Sequence, residues 1–370
     1  MTRRRLRVLV DTAILRRPWT GTARWVRGLT TALGELPDVA VLTADGPSRL
    51  GSERSGDAHP DLASWILRVP NVVRQRWWYE AGLRRLADQS DADVLLMPAN
   101  MAARSGGRPQ VVAILDVNFL TRPETYEPAH ARYLTWAFRR AVRDADKLIT
   151  ISEFSRSEIC HHLGAHPDDI MVVYPGLDPP PDVAQSAAPL DRPYALWVGA
   201  TEVSKNVGLL LDAWSAGAPS GLTLALVGPP GRDHATLVRR AAHSGIDVVF
   251  RGQVDESELE LWYRHATVFL FPSRTEGFGF PPLEAMLRGV PVIAANAGSL
   301  PEVLGDAALF HDPNDADTVR VHIASLMQDA HLRREMIARG RQRAARYQWA
   351  SAAAGVAAIL RDAVDTHRHP

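Results

Sequence analysis

The chain has 370 residues with 42 basic and 42 acidic side chains, so its formal net charge is zero, and 46% of its residues are hydrophobic. This length suits two globular domains of ordinary size. A neutral chain argues against a general nucleic-acid binder, because such proteins carry net positive charge. The single cysteine excludes an internal disulfide and a four-cysteine metal site.

The lengths of the apolar runs predict the cellular location of the protein. The first apolar run ends at Asp11 after about five residues, which is too short for the hydrophobic part of a signal peptide. No uninterrupted apolar stretch reaches the length of about 18 residues that a membrane-spanning helix needs. We therefore expect a cytoplasmic protein, and the sequence leaves open whether it also attaches peripherally to the inner face of the membrane.

The first half of the chain alternates between strands and helices. Strands are predicted at residues 6–10, 94–97, 111–115 and 148–151, and helices at residues 23–36, 129–142 and 152–163. Residues 51–60 are polar and contain glycine, so they are predicted to form a mobile loop. This alternation is typical of a parallel sheet covered by helices.

The second half repeats the pattern after a proline-rich break at residues 175–193. Its predicted elements are strands at residues 195–198, 224–227, 268–271 and 290–293 and a helix at residues 207–214. We predict two Rossmann-like α/β domains, residues 1–185 and 186–348, that face each other across a ligand-binding cleft. The remaining segment, 349–370, begins with a helix that either caps the second domain or crosses back to the first.

Residues 271–286 carry the pattern of a site for phosphate or sugar oxygens. A hydrophobic strand is followed by a turn with Gly277 and Gly279, and two prolines begin the next helix. Glycine lets the backbone approach a ligand, and the N–H groups at a helix start favour anionic oxygens. Glu276 and Glu284 flank this turn. Taken alone, the pattern fits a structural glycine turn with a first-turn glutamate equally well.

Glu276 and Glu284, with seven residues between them, resemble the signature of the retaining glycosyltransferases of family 4, which have the two-domain GT-B fold. Other segments are also similar to motifs of this family, and they comprise residues 20–26, 149–155, 198–206, 251–254 and 296–303. The resemblance covers nearly the whole chain and is strongest from residue 195 to residue 312.

The resemblance implies a role for each matched residue. Glu276 would lie beside the donor sugar, and Glu284 would bind the ribose hydroxyls of the nucleotide. Lys205 would meet the diphosphate leaving group, where a cation stabilises the charge that grows in the transition state. The other residues implied in donor binding are Gly21, Arg24, Gly199, Glu202, Val254, Gly277, Phe278, Gly279 and Phe280.

Lys205 stands out because lysine is rare in this chain. Of the 42 basic residues, only Lys147 and Lys205 are lysines. An arbitrary exposed cation here would be an arginine, so a lysine inside a matched motif favours a specific role over a solvated loop residue. Lys147, which precedes a predicted strand, is expected to be an ordinary surface residue.

The chain departs from the family pattern at two places. The family often has an arginine soon after the glycine equivalent to Gly199, whereas this chain has Ala200 and Thr201. Either Arg24 supplies that charge or the phosphates are held less firmly. Many relatives have a histidine where this chain has Leu115, which makes the following Asp116 the nearest polar group and the third candidate catalytic residue.

Two patterns that invite a metal site are discounted. Asp-Ala-Asp triplets occur at residues 91–93, 144–146 and 315–317, but the first two precede their strands, opposite the ligand end of a parallel sheet. Neighbouring residues on a helix point about 100° apart, so the run at 160–162 cannot share one ion well. We expect no metal and no other cofactor, since the nucleoside-diphosphate sugar is a co-substrate.

Residues 74–79 form a basic and aromatic cluster on a predicted helix. Its rings either pack onto the first domain or contact an acceptor or a membrane surface, because arginine and tryptophan suit an anionic interface. Arg139 and Arg140 would extend such a face if they lie in the same plane.

The residues and the resemblance together predict a metal-independent, retaining hexosyltransferase. It would move a hexose or deoxyhexose from a nucleoside-diphosphate sugar to a hydroxyl of a glycan, a lipid-linked sugar or a small natural product. Two alternatives stay open. One is a nucleotide-sugar epimerase or hydrolase on the same fold, and the other is a non-catalytic nucleotide-sugar-binding partner protein, which Leu115 and Ala200 favour.

Overall fold

The computed structural model describes residues 4–16, 20–46, 77–121, 127–183, 187–215 and 221–368. The chain divides into two compact units. Unit 1 comprises Met1–Gly176 together with Gln348–Pro370, and unit 2 comprises Leu177–Tyr347. Each unit contains a six-stranded sheet. No helix in the described ranges is both long and apolar enough to cross a membrane.

The sheet of unit 1 is entirely parallel and has the order β2-β1-β3-β4-β5-β6. Its strands are β1 (Leu6–Asp11), β2 (Val39–Ala44), β3 (Val94–Met97), β4 (Gln110–Ala113), β5 (Lys147–Thr150) and β6 (Ile170–Val172). Every residue of the central strands β3 and β4 is buried. This is expected where helices cover both faces of a parallel sheet.

Six helices belong to unit 1, counted over its described residues: α1 (Gly21–Gly34), α2 (Leu83–Gln89), α3 (Asn118–Thr121), α4 (Pro128–Asp144), α5 (Glu153–Leu163) and the C-terminal α13 (Trp349–Arg368). Thr20 is the N-cap of α1, and its side chain accepts a hydrogen bond from the Ala23 N–H at 3.1 Å. A π-helical turn at Trp78–Gly82 precedes α2. Trp78 and Tyr79 of this turn lie in the hydrophobic core.

The C-terminal helix α13 belongs to unit 1 and packs against its helix α1. The rings of Trp25 and Trp349 lie 6.1 Å apart. At Gly28 in α1, an added Cβ would come within 2.2 Å of the Trp349 ring, so glycine permits this close approach. Lys147 lies 2.6 Å from Asp362 of α13. This partly exposed ion pair joins β5 to the C-terminal helix and is compatible with the expectation that Lys147 is a surface residue.

The sheet of unit 2 is also parallel and has the order β12-β11-β10-β7-β8-β9. Its strands are β7 (Tyr194–Val198), β8 (Thr223–Val227), β9 (Val248–Gly252), β10 (Val268–Phe271), β11 (Val292–Ala295) and β12 (Ala308–His311). The helices of its described residues are α6 (Val207–Ser215), α7 (His234–Ser244), α8 (Glu256–Arg264), α9 (Phe280–Leu287), α10 (Leu300–Leu304), α11 (Ala316–Gln328) and α12 (Ala330–Ala344).

The first predicted domain boundary, at residue 185, differs from the boundary between the two units. Unit 1 ends at Gly176, soon after β6, and the Leu177 N–H already donates to the carbonyl oxygen of Tyr347 in unit 2. Gly176 itself packs against Trp349 of unit 1. The loop predicted at residues 51–60 lies outside the described residues, as do residues 74–76 of the basic and aromatic cluster.

Candidate functional site

The candidate site lies at the carboxyl edge of the unit 2 sheet. β10 pairs with β11 on one side and with β7 on the other, so the loops that leave these three strands are neighbours. They carry Lys205 after β7, Glu276 after β10 and residues 296–299 after β11. Ligand sites of parallel sheets form at this edge.

Lys205 and Glu276 form an ion pair between the β7 and β10 loops. The Nζ of Lys205 lies 2.6 Å from Oε1 of Glu276, and the two side chains are 29% and 13% exposed. The same Nζ lies 5.9 Å from the centre of the Phe271 ring at the end of β10. The structure thus brings together a cation and a carboxylate that the sequence predicts to act on one ligand.

Asn206 holds the loop that carries Lys205. It follows the short 3-10 turn Val203–Lys205 with a φ of 55°, in the left-handed region that asparagine tolerates better than most residues. Its side-chain amide donates to the carbonyl oxygens of Pro272 at 3.2 Å and Pro313 at 2.7 Å. The Lys205 turn is therefore fixed to the loops that follow β10 and β12.

The loop after β11 supports the backbone of Glu276. The Ser299 N–H donates to the Glu276 carbonyl oxygen at 3.1 Å. Gly298 has a φ of 59°, and a Cβ added there would lie 2.7 Å from the Glu276 nitrogen. Both the conformation and the close approach require glycine at position 298.

The turn before α9 has the glycine conformation that its sequence indicates. Gly279 has a φ of 94°, and Gly277 precedes it in the same turn. Phe278 is 3% exposed, and its ring packs edge-on against the rings of Phe280 and Tyr347. The Phe278 side chain therefore serves packing. Pro281 and Pro282 have no N–H group, so the backbone donors that this turn can offer to ligand oxygens are those of residues 277–280.

Glu284 lies in α9 and meets a tyrosine of α8. The Tyr263 hydroxyl donates to Oε2 of Glu284 at 2.9 Å, and Tyr263 is 1% exposed. Arg288 donates to the carbonyl oxygen of Glu284 at 2.9 Å. Tyr263 was not predicted as a site residue, because no sequence pattern links one residue of α8 to one residue of α9.

Gly199 begins the β7 loop, and Val254 lies in the loop that follows β9. The Gly199 N–H donates to the Val227 carbonyl oxygen at 3.0 Å, so this donor extends the sheet. A Cβ added at Gly228 would lie 2.0 Å from the Gly199 carbonyl oxygen, so the β7 and β8 loops touch through glycine. Val254 is half-buried in the loop after β9.

Thr201 and Glu202 also join the β7 loop to the β8 loop. Thr201 is 4% exposed, and its hydroxyl accepts from the Gly231 N–H at 2.8 Å. Glu202 pairs with Arg232 of the β8 loop at 3.2 Å. At the place where the family often has a phosphate-binding arginine, this chain therefore has a buried threonine that fastens two loops.

Three predicted site residues belong to unit 1. Gly21 is the exposed first residue of α1, and Arg24 is half-buried in the first turn of that helix. Asp116 follows β4, and its Oδ1 accepts from the Asn118 N–H at 3.1 Å at the start of α3. Leu115, which replaces the family's histidine, is 3% exposed and contributes to the core.

Asp11 is a buried carboxyl group that sequence analysis did not identify as special. It ends β1 and is 4% exposed, and burial raises its pKa to about 6. The Ala13 N–H and the Trp78 Nε1 donate to its Oδ1 at 3.2 and 3.4 Å. The sequence signal that could have identified Asp11 is its position directly after the predicted apolar strand at residues 6–10.

Within the described ranges, no group of three or more His, Cys, Asp or Glu side chains is arranged to hold a metal ion. The carboxylates of the Asp-Ala-Asp triplets take part in structural contacts. Asp93 accepts from the Arg7 backbone N–H at 2.9 Å, Asp144 accepts from Arg140 Nε at 3.1 Å, and Asp315 caps α11.

Comparison with known proteins covers both halves of the chain. Residues 19–180 match the family described as Glycosyltransferase Family 4, and residues 180–343 match Glycosyl transferases group 1. The O-antigen chain mannosyltransferase B of Escherichia coli is 28% identical over 93% of this chain and 96% of its own length. A D-inositol 3-phosphate glycosyltransferase of Streptomyces scabiei is 32% identical over 84% of this chain and 72% of its own length.

A solved structure shows the same fold. HepE of Anabaena, determined in complex with UDP and glucose, matches 96% of this chain and 100% of its own with a TM-score of 0.70 and 18% sequence identity. The two parallel α/β units are thus those of a GT-B fold. The chain belongs to the family 4, group 1 glycosyltransferases and is a glycosyltransferase.

Proposed function

We propose that the chain transfers a hexose or deoxyhexose from a nucleoside-diphosphate sugar to an acceptor hydroxyl with retention of the anomeric configuration. The Lys205–Glu276 ion pair carries the proposal, because it sets a cation beside a carboxylate at the ligand edge of the unit 2 sheet. A nucleoside-diphosphate sugar has the complementary arrangement, because its anionic diphosphate suits the cation and the hydroxyl groups of its sugar suit the carboxylate. The E. coli mannosyltransferase and the HepE complexes with UDP and UDP-glucose support this donor class.

Lys205 is the residue that we assign to the leaving group. When the bond between the sugar C1 and the diphosphate oxygen breaks, that oxygen gains negative charge. A fixed cation interacts more strongly with this charge than with the intact donor, which lowers the barrier. The ammonium group has three donors, so it can keep Glu276 and still donate to phosphate oxygens. The ion pair holds the ammonium in place before the donor binds.

Glu276 and Glu284 would then receive the two ends of the donor. A carboxylate only accepts hydrogen bonds when it is ionised, so each suits a partner with hydroxyl groups. We assign Glu276 to the sugar and Glu284 to the ribose. The diphosphate between them would meet the backbone N–H groups of residues 277–280 at the start of α9.

We assign to unit 1 the groups that act on the acceptor. Asp116 directly follows Leu115, the position where relatives have a histidine, and we propose that it orients the acceptor hydroxyl. Arg24 and Gly21 begin the 14-residue helix α1, whose positive end favours phosphate oxygens. In the reaction, the acceptor oxygen bonds to the sugar C1, the bond between C1 and the diphosphate oxygen breaks, and the acceptor proton passes to the departing diphosphate.

The transfer is proposed to need no metal ion. In many phosphate enzymes, a divalent cation neutralises the charge that develops on the leaving group. Here Lys205 supplies a positive charge for that purpose. Activity that persists in excess EDTA supports this part of the proposal, and activity that requires added Mg²⁺ or Mn²⁺ contradicts it.

Donor turnover with and without acceptor tests the proposal. UDP-glucose, GDP-mannose and GDP-fucose would each be incubated with D-inositol 3-phosphate or a mannose-bearing glycan, and free nucleotide and product would be measured. Release that depends on acceptor, with a product of the donor's anomeric configuration by NMR, supports retaining transfer. An inverted product contradicts retention.

The same assay distinguishes the two alternative functions. Donor turnover at an equal rate with and without any acceptor would indicate an epimerase or hydrolase. Tight nucleotide-sugar binding without turnover of any donor would indicate a non-catalytic binding partner. Either result overturns the transferase proposal.

We further propose that α4 is the surface by which the chain contacts the inner membrane face. Tyr133 and Trp136 are 37% and 51% exposed, which is unusual for large rings. Arg132 and Arg139 are also exposed, and residues 132, 136 and 139 share one face at helical spacing. Arginine beside an interfacial ring suits an anionic lipid surface.

Vesicle flotation tests this surface. We expect the protein to float with phosphatidylglycerol vesicles and not with phosphatidylcholine vesicles, and the double variant Arg132→Glu/Arg139→Glu to lose this binding. The exposed pair Arg334 and Arg346 of unit 2 provides a control with the same charge change. Equal flotation of both double variants contradicts the assignment to α4.

A further inference from the structure

The Glu284 carboxylate is hydrogen-bonded to a tyrosine of the neighbouring helix α8. The hydroxyl of Tyr263 donates to its Oε2 at 2.9 Å from α8. The Tyr263 ring is nearly parallel to that of Phe269 on β10, at an angle of 30°, with the ring centres 5.7 Å apart. The guanidinium carbon of Arg288 lies 4.9 Å from the centre of the Tyr263 ring, and the Arg288 side chain is 9% exposed. A tyrosine packed in this way has little freedom to move its hydroxyl.

A buried ionic cluster fixes the two helices that carry this contact. Glu260 of α8 is 1% exposed, and its carboxylate oxygens meet Arg288 at 2.6 Å and Arg264 at 2.7 Å. Arg288 also donates to the carbonyl oxygen of Glu284. One arginine therefore ties α8 to the backbone of α9 at Glu284, while Tyr263 ties α8 to the Glu284 side chain.

We propose that Tyr263 is a positioning residue that sets the Glu284 carboxylate for the ribose of the donor nucleotide, and so makes the site select ribonucleotides over 2′-deoxyribonucleotides. The inference rests on the proposed function, in which Glu284 binds the ribose hydroxyls. It adds a second residue and a specificity that this function does not itself require.

The chemistry of the ribose explains why the carboxylate must be fixed. Two neighbouring hydroxyl groups can donate to one carboxylate only if its plane faces both of them. A glutamate side chain has three rotatable bonds before its carboxylate, and ordering it costs free energy. Because the Tyr263 hydrogen bond already orders the Glu284 carboxylate before the nucleotide binds, the binding free energy from both ribose hydroxyls is not reduced by the cost of ordering it. A carboxylate accepts several hydrogen bonds, so the tyrosine and the ribose are compatible.

Tyr263→Phe tests the inference, because phenylalanine keeps the ring between Phe269 and Arg288 and removes only the hydroxyl. Tyr194→Phe is the matched control. Tyr194 is 1% exposed in the same unit, and its hydroxyl donates to the Trp262 carbonyl oxygen at 2.8 Å. Dissociation constants would be measured by calorimetry for UDP, GDP and ADP and for their 2′-deoxy forms, with melting curves to verify that each variant is folded.

We expect the wild-type protein to bind its preferred ribonucleotide about tenfold to a hundredfold more tightly than the 2′-deoxy form, the range for a hydrogen bond to a charged group. Tyr263→Phe should reduce this ratio to about threefold or less, because it should weaken binding of the ribonucleotide more than binding of the 2′-deoxy form. Tyr194→Phe should retain the wild-type ratio. A melting temperature of Tyr263→Phe close to that of Tyr194→Phe shows that the loss is local.

Glu284→Gln separates failure of the inference from failure of the proposed function. If Glu284→Gln abolishes the discrimination and Tyr263→Phe keeps it, the ribose assignment stands and the role of Tyr263 is overturned. If Glu284→Gln itself keeps the discrimination, or if the wild-type protein has none, Glu284 does not bind the ribose. Both the assignment and the inference then fail. Should Tyr263→Phe prove unfolded, Tyr263→Met, which also lacks the hydroxyl, must lower the ratio for the inference to hold.

Discussion

Lys205 and Glu276 are 71 positions apart in the sequence, and their side chains meet at 2.6 Å. The contact forms because β7 and β10 are neighbours in the unit 2 sheet, so their loops leave at the same edge. Backbone and side-chain hydrogen bonds from Asn206 and Ser299 hold both loops. This pair is the feature from which the proposed chemistry follows.

Removing the cation should slow transfer strongly. Lys205→Ala deletes the group that we assign to the leaving diphosphate, and loss of one preorganised charge or donor costs about 3 kcal/mol of transition-state stabilisation. We expect kcat to fall roughly a hundredfold, measured as acceptor-dependent nucleotide release with the donor that the wild-type protein turns over.

Lys147→Ala is the control for this loss, since it removes the chain's other lysine and its ion pair with Asp362 in unit 1. An exposed pair of this kind contributes about 1 kcal/mol of stability or less. The kcat of Lys147→Ala should therefore stay within about twofold of wild type. Similar activity in the two alanine variants would remove Lys205 from the mechanism.

Glycine at position 298 should be essential for the placement of Glu276. An added Cβ would lie 2.7 Å from the Glu276 nitrogen and 2.8 Å from its carbonyl oxygen. Gly298→Ala should therefore displace Glu276 and lower kcat at least about tenfold, in addition to the roughly 1 kcal/mol that alanine costs at a positive φ.

Gly245→Ala separates these two effects. Gly245 has a φ of 61°, close to the 59° of Gly298, but an added Cβ there meets nothing within 4 Å. We expect the same loss of stability of about 1 kcal/mol and full activity. If both variants lose activity to the same extent, backbone conformation and not contact with Glu276 is the cause.

The packing of the C-terminal helix should depend on Gly28. A Cβ added there would lie 2.2 Å from the Trp349 ring, so Gly28→Ala must push α13 away from α1. Overpacking of this kind costs about 1–3 kcal/mol. Gly34→Ala in the same helix meets nothing within 4 Å and should be neutral or slightly stabilising. Denaturant unfolding midpoints measure both, and equal midpoints would contradict the packing of α13 on α1.

The stability of unit 1 should change with pH through Asp11. Burial raises the pKa of this carboxyl group from its ordinary 3.8 to about 6 in the folded state, so the folded chain binds the proton more tightly than the unfolded chain. The stabilisation is complete below about pH 4 and is lost as the pH rises through about 6.

Asp11→Asn should reveal this loss, because asparagine keeps an oxygen that accepts from Ala13 and cannot ionise. Relative to wild type, we expect the variant to gain up to about 3 kcal/mol in the free energy of unfolding on going from pH 4 to pH 8. Urea unfolding at the two pH values measures the difference. A variant whose stability relative to wild type is independent of pH would contradict the raised pKa.

The sequence predicted the central strands of both sheets better than their edges. β3 and β10 lie where the sequence predicts them because four consecutive buried residues give an apolar run. The four strands without a prediction are β2, β6, β9 and β12, which are the edge strands of the two sheets. Their side chains are partly exposed, so their composition is mixed and lacks that run.

The site was predictable where it depends on local sequence and not where it depends on packing. Gly279 has the positive φ that the glycine turn indicates. The partners Tyr263 and Asn206 act across elements far apart in the chain, and their contacts exist only once the sheet is assembled. The position of α13 on unit 1 likewise depends on the fit of Trp349 against Gly28.

The most direct test of the central claim is nucleotide binding to the Lys205–Glu276 site. Calorimetric titration of UDP, GDP, ADP and dTDP without metal would be carried out on the wild-type protein, Lys205→Ala and Lys147→Ala. We predict that one nucleotide binds the wild-type protein and Lys147→Ala alike and binds Lys205→Ala at least about tenfold more weakly, as expected for a lost hydrogen bond to a charged group. Binding of none of the four nucleotides, or equal binding to Lys205→Ala, would contradict the account.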